Sequence, residues 1–441
     1  MKKPSSISQV SQISHAWSAL RHRNFRLFFA GQSISVLGTW MTKLATSWLV
    51  YRLTHSALLL GVVSFAGQII SFALGPFAGV WVERMERRKM LMWTQGAAAM
   101  QSLAMAALTL AHVITLWEVI ALTAFQGVIN AFDMPGRQSF LVQMVDDKND
   151  LSNAIAINSS MANRARLVGP AIAGLVIAGF GEGWCFLIDG VSYFAVIASL
   201  LLMRIAPLNK RINKASMFEQ MSEGWDYVRT FRPLRTILVL FAIVSLMGYS
   251  YAVLLPIFAA TVLHGGAHTL GWLTGASGVG ALASALSLAV RKSVVGLTRM
   301  VRNSVAVLGV ALILFGLSHT LWLSLVLMVF VGFGMLQAAA ASNTIIQSVV
   351  PEDKRARVMS YYTTAFFGAA PFGSLLAGLL ARWTGAPHTV MFTGACCVAG
   401  AVWFAMELPK ITPILKPIYQ KMGLIAMQDV DAVTEAAETA A

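Results

Sequence analysis

Lys43, Asp133 and Asp189 are ionisable side chains set inside long apolar stretches of this 441-residue chain. An ionised group at mid-bilayer costs on the order of 2.5 to 3.5 kcal/mol on insertion scales, so residues of this kind are kept for pairing or for function. Lys43 falls about two thirds of the way along the first apolar run and Asp189 about five residues into the sixth, at similar depths if each run is a spanning helix. Three roles suit such a pair: a structural ion pair, a proton-responsive switch, or part of a substrate site. Asp133 and Arg137 are four positions apart, the spacing of an intrahelical ion pair if the helix continues through Pro135. Covalent catalysis has no counterpart here, since the chain contains no His-Glu-x-x-His, Gly-x-Ser-x-Gly or Gly-x-x-x-x-Gly-Lys run. Cys185, Cys396 and Cys397 lack metal-ligand spacing and read as small core residues, so neither a metal nor a cofactor is expected.

The elements that must position these groups are twelve apolar runs, at 25–51, 58–82, 90–112, 114–132, 157–180, 184–203, 234–263, 270–290, 301–317, 321–343, 359–383 and 389–406. A helix rising 1.5 Å per residue needs about twenty residues to cross ~30 Å of hydrocarbon. The expected fold is therefore an all-α polytopic membrane protein with twelve transmembrane helices. Of the 33 Lys and Arg residues, 28 lie in the termini, in every second gap or within two residues of these, and only Arg52 and Arg382 lie in the gaps between. The positive-inside rule then places both termini in the cytoplasm, with the helices in a bacterial inner membrane. A net charge of +14 arranged in this way orients helices and meets anionic lipid; it does not form a nucleic-acid surface. The first run is too long for a cleavable signal and is expected to stay as the first helix.

The halves repeat. Gln143, Met144, Val145, Asp146, Asp147 and Lys148 lead on to Gly169 and Pro170, while Gln347 through Lys354 lead on to Ala370 and Pro371, and the two prolines are 201 positions apart. Two six-helix bundles related by an axis along the membrane normal follow from this. The chain then divides into a cytoplasmic segment (1–24), a first bundle (25–205), a middle loop (206–233), a second bundle (234–408) and a frayed cytoplasmic tail (409–441). Within the middle loop, apolar residues at Met217, Phe218, Met221, Trp225, Val228 and Phe231 predict an amphipathic surface helix.

After the second run the chain reads from Gly79 through Trp81, Val82, Glu83, Arg84, Glu86, Arg87 and Arg88, which resembles the Gly-x-Leu-Ala-Asp-Arg-x-Gly-Arg-Arg loop of the major facilitator superfamily. Gly79, Arg84, Arg87 and Arg88 match; Trp81, Val82, Glu83 and Glu86 depart from the pattern. Phe132 to Gln138, then Asn153, Ala154, Asn158, Arg164, Gly169 and Pro170, are similar to the transmembrane secretion effector branch, which includes the enterobactin exporter and macrolide efflux proteins. Phe25-Arg26-Leu27 with Gly31-Gln32, Leu254 to Ala259, and Arg355 to Ser360 fit the same branch. The likeness runs from Arg23 to Pro409.

The resemblance implies a cytoplasmic gate formed by Glu83, Arg84, Arg87 and Arg88 with Arg137, in which Glu83 either pairs with an arginine of a neighbouring helix, such as Arg137, or sits at a helix N-terminus. It also implies an exporter-like fifth helix around Gly169, Pro170 and Gly174, although Ala173 replaces one glycine of that motif. Helices 1, 4, 7 and 10 would line a central cavity. That places Gln32, Trp40 and Lys43 on the first, Gln126 and Asn130 on the fourth, Tyr249 and Tyr251 on the seventh, and Gln337 and Asn343 on the tenth. Aromatic surface with a few hydrogen-bonding groups suits a medium-sized amphipathic organic substrate. The expected function is export of a small organic compound, siderophore or drug-like, by alternating access with proton antiport, Asp189, Lys43 and Asp133 being the coupling candidates. The alternatives are a non-transporting membrane scaffold or receptor and a membrane-embedded enzyme.

Overall fold

The computed structural model describes residues 18–145, 147, 150–204, 225–291 and 293–421, and at Glu83 and Arg84 it describes the backbone alone. Every regular element among them is helical, as a chain immersed in hydrocarbon requires when its backbone must satisfy its own hydrogen bonds. The long helices are α1 (Arg23–Thr54), α2 (Ala57–Arg84), α3 (Arg87–Leu110), α4 (Leu116–Leu141), α5 (Leu151–Phe180) and α6 (Glu182–Leu202). After them come α7 (Arg232–Val262), α8 (Ala267–Ala289), α9 (Leu297–Leu317), α10 (Leu321–Val349), α11 (Glu352–Thr384) and α12 (Ala386–Lys421). Eight of these elements (α2 in its Ala57–Gly75 part, and α6 to α12) are long and apolar enough to cross a membrane by length and composition. Trp117, Trp322 and Trp383 are about four-fifths exposed at helix ends away from the basic loops, the placement of an interfacial aromatic belt.

Local sequence explains the helix ends. Thr115 and Glu118 form a capping box that starts α4, and the Ser56 hydroxyl accepts from Leu59 N at the start of α2. His55, His112 and His264 adopt positive φ at the turns that close α1, α3 and α7. The first helical segment of α7 ends at Ile243, and π turns follow at Val244–Gly248 and Phe258–Val262. The first of these is tied to α11 by a hydrogen bond from the Ser245 hydroxyl to the Phe366 carbonyl. Wide turns of this kind mark places where a helix is adapted to a neighbour or to function.

Two compact units emerge. One gathers α1 to α6 with Val253–Gly278 and Gly378–Ala386; the other gathers α7 up to Ala252, Val279–Ala377 and α12 from Pro387. The division differs from a cut through the 206–233 loop because the far part of α7, the start of α8 and the α11–α12 turn cluster with the first six helices. Within the first unit α1 packs on α5 and α6, α3 on α6, and α2 on α4; within the second, α9 packs on α10. A core of Phe25, Phe28, Met90, Phe140, Met144 and Leu200 closes the first unit at its basic-loop end.

Beyond Pro409 the frayed tail expected from the sequence is instead helix: α12 runs through Pro409, Pro413 and Pro417 to Lys421. Each proline removes a backbone hydrogen bond. The three stand four apart on an exposed face, while Leu408, Ile411, Leu415 and Tyr419 are buried on the other. Arg232 of α7 holds the same stretch through Glu407 at 2.9 Å, and Lys410 joins that carboxylate at 2.9 Å. The predicted amphipathic helix at Met217 falls mostly outside the described residues. From Trp225 to Thr230 the chain is helical, with Val228 buried and Trp225 against Tyr361.

Candidate functional site

α1 and α6 cross at Gly38, where a Cβ would lie 2.7 Å from Oδ1 and 2.9 Å from Cα of Asp189. Only a residue without a side chain lets this carboxylate sit between the two helices. Asp189 is 2 % exposed. Its Oδ2 accepts hydrogen bonds from Thr42 Oγ1 at 2.9 Å and from Ser102 Oγ at 3.2 Å, so α1, α3 and α6 meet on one oxygen. Ser102 Oγ also lies 3.0 Å from the Phe186 carbonyl, and its single proton is shared between two acceptors. Oδ1 is buried without a hydrogen-bond partner, a condition that costs about 1 to 3 kcal/mol for a polar atom.

Lys43 and Asp189, suggested as an ion pair by their depth, do not form one. Successive residues on a helix point about 100° apart, so when Thr42 faces Asp189 the next side chain faces elsewhere. Lys43 Nζ lies 4.4 Å from the Trp40 ring centroid, and Arg166 Cζ of α5 lies 5.7 Å from the same centroid. Trp40 is fixed by Gly169, whose absent side chain lets α5 approach: a Cβ there would come within 2.6 Å of Trp40 Cβ. In the sequence Arg166 is only a basic residue early in the fifth apolar run, with no signal that it meets Trp40.

Asp133 does form the expected pair with Arg137, because α4 continues through Pro135. Its Oδ1 also accepts from Thr94 Oγ1 at 3.0 Å and Gln95 Nε2 at 2.7 Å, which binds α3 to α4. Asp133 is thus a buried structural acceptor with three donors. Arg137 turns to Asp133, and the expected Glu83–Arg137 contact rests on a side chain outside the described ones. Two further gate arginines cap helix ends: Arg87 Nη1 donates to the Ser139 carbonyl of α4 at 3.2 Å and Arg88 Nη2 to the Leu201 carbonyl of α6 at 2.9 Å. Both carbonyls belong to last turns, where no intrahelical donor remains.

The remaining cavity candidates divide. Gln337 is buried, and its Oε1 accepts from Ser284 at 2.6 Å and Ser287 at 3.0 Å, so it locks α10 to α8 and does not line an open space. Gln32 and Tyr251 are buried too. Gln126 and Asn130 are half-buried and bonded to each other at 3.1 Å; Asn343, half-buried, accepts from Gln347 at 2.6 Å. Tyr249 meets Phe366 edge-on at 5.9 Å in an aromatic group with Phe241 and Tyr362. That group escaped sequence reading because its members come from two helices more than a hundred residues apart.

Gly174 serves helix contact. A Cβ on Gly174 would lie 3.1 Å from Gly271 Cα of α8, and one on Gly271 would lie 2.6 Å from the Pro170 carbonyl. The same arrangement recurs between α11 and α2, where a Cβ on Gly378 would lie 3.2 Å from Gly61 Cα and 2.6 Å from the Ala57 carbonyl. Backbones approach this closely in lipid through small residues. A cavity of about 320 Å³ lies between α1 and α5 at the basic-loop end, lined by Phe29, Asn153, Ile157, Ser160, Met161 and Arg164 among others.

Buried charges, glycine-mediated helix contacts and helices of spanning length define a polytopic membrane transporter fold. A family model of transmembrane secretion effectors matches residues 14–421, and the chain belongs to that family of the major facilitator superfamily. It is 25 % identical over 386 residues to the staphyloferrin A transporter of Staphylococcus aureus, covering 86 % of this chain and 95 % of that one. It is 27 % identical over 367 residues to the multidrug efflux pump Tap of Mycolicibacterium fortuitum, covering 80 % and 88 %. With macrolide efflux protein A of Streptococcus pyogenes it shares 21 % over 406 residues, 90 % and 98 % of the two chains. Among solved structures, a POT family transporter in complex with 5-aminolevulinic acid superposes with a TM-score of 0.70 at 12 % identity, over 88 % of this chain and 97 % of that one. The nucleoside transporter NupG superposes with a TM-score of 0.68 at 13 % identity, over 88 % and 99 %. These likenesses establish the fold, and the family is one of transporters, not enzymes.

Proposed function

We propose that this chain exports a small organic compound, siderophore-like or drug-like, from the bacterial cytoplasm by alternating access driven by proton entry. The reading takes the twelve helices as twelve spans in two six-helix halves with both termini cytoplasmic, and membrane lipid as the surrounding partner. The transporters named above supply the class of cargo by analogy. The observation that carries the coupling is Asp189: a carboxyl group within a span, held by two hydroxyls through one oxygen, with its other oxygen free to take a proton. A proton biases a conformational equilibrium only by binding one state more tightly than the other, and a carboxyl group wedged against Gly38 loses or gains partners as soon as α1 and α6 shift. The glycine contacts of α5 with α8 and of α2 with α11 are the places where helices can part and close.

Reconstituted vesicles under an imposed proton gradient test this, with erythromycin, tetraphenylphosphonium and citrate as probe compounds. Asp189→Asn is expected to abolish gradient-driven movement and to preserve gradient-independent exchange. Movement by Asp189→Asn at the normal rate, with unchanged dependence on the gradient, would reduce Asp189 to a packing residue.

A further inference from the structure

Lys43 of α1 and Arg164 and Arg166 of α5 have no described carboxylate in ion-pair contact, whereas Arg52 of α1 is paired with Glu182 at 2.8 Å. Lys43 and Arg166 share the Trp40 indole, and Arg164 lines the cavity between α1 and α5. Two buried carboxylates of the same unit are bonded to other groups, Asp189 through Oδ2 to Thr42 and Ser102, and Asp133 to Arg137, Thr94 and Gln95. A cation over an indole gains less than the cost of holding an ammonium or guanidinium within a span. The balance requires either water or an anion. Lys43 is exposed on α1 and Arg166 is half-buried on α5, so neither head group is sealed inside the helix packing. Trp40, pinned by Gly169, fixes where the two charges stand.

We infer that Lys43, Arg166 and Trp40 form a binding site for a small organic anion carrying two or more carboxylates. This rests on the transporter reading above and gives its cargo a charge. The guanidinium offers a planar fork of donors to one carboxylate, and the ammonium offers a point charge to a second. The indole gives the apolar part of such a ligand a flat surface and holds both cations within 6 Å of its centre.

The test is calorimetric titration of the full-length chain in lipid nanodiscs with citrate, with benzene-1,3,5-tricarboxylate, and separately with tetraphenylphosphonium. Saturable binding of at least one tricarboxylate is expected, and Lys43→Gln and Arg166→Gln should each weaken it about tenfold or more. Lys43→Arg, which keeps the charge, should bind more tightly than Lys43→Gln, and the unfolding temperature of each variant controls for misfolding. Absence of saturable tricarboxylate binding, or binding unchanged in well-folded Lys43→Gln and Arg166→Gln, would overturn the site. Vesicles that move tetraphenylphosphonium while neither tricarboxylate binds would leave the transporter standing and refute the anion. Tricarboxylate binding that depends on Lys43 and Arg166, in vesicles that move nothing, would keep the site and refute transport.

Discussion

Asp133 and Asp189 are both carboxylates buried within helices, and their partners separate their roles. Asp133 has donors on both oxygens and a charged partner, so its function is to hold α3 against α4. Removing one member of a buried pair leaves the other charge and its donors uncompensated. Asp133→Ala is expected to destabilise the protein by about 3 kcal/mol, toward the low end for such losses because Arg137 remains 29 % exposed. Thermal unfolding in detergent would register this, and an unchanged midpoint would contradict the structural role. Asp189 is different: half of its carboxylate has no partner, and substitution there should affect coupling more than folding. Outside the spans, Asp150 at the start of α5 is held below the usual carboxylate range, by a Ser18 hydrogen bond first and by His22 second. A depressed folded pKa adds stability above the ordinary aspartate pKa and loses it as pH falls through the folded value.

Helix pairs carry the second layer of function. In lipid, association depends on close packing and interhelical hydrogen bonds, since the surrounding tails are as apolar as the side chains. Gly174 against Gly271 and Gly378 against Gly61 are therefore the contacts that a single bulky residue would undo. Gly271→Leu places a branched side chain where the Pro170 carbonyl stands 2.6 Å from a Cβ. It should lower probe movement in vesicles at least tenfold with insertion intact, and Gly378→Leu should do the same on α11. Normal transport by both variants would show that these contacts neither close nor part in the cycle. The aromatic group of Phe241, Tyr249, Tyr362 and Phe366 is a further element-scale feature, stacking α7 on α11 at ring distances of 4.5 to 5.9 Å.

For the whole molecule, topology is the property most open to direct measurement. In a Cys396→Ala background, Ser293→Cys, in the basic α8–α9 turn, should resist an impermeant thiol reagent in intact cells, while His319→Cys, in the α9–α10 turn, should react. The reverse labelling would invert the orientation. Sequence alone determined the helical, membrane-spanning character, the alternation of basic loops, the internal repeat, and the spacing that lets Asp133 meet Arg137 once the helix passes Pro135. Each of these follows from hydropathy, charge or spacing over neighbouring residues, where a helix fixes the geometry in advance. Tertiary structure decided the partners of Asp189, which come from positions 147 and 87 residues away, and the meeting of Trp40 with Arg166. It also decided that Gln337 locks two helices together, and that α12 continues past three prolines because its apolar stripe is buried and Glu407 is held by Arg232. A polar side chain in a span must find a partner on another helix. Which helix that is depends on where backbones can approach, and so on small residues such as Gly38 and Gly169, whose significance appears only when the facing residue is known.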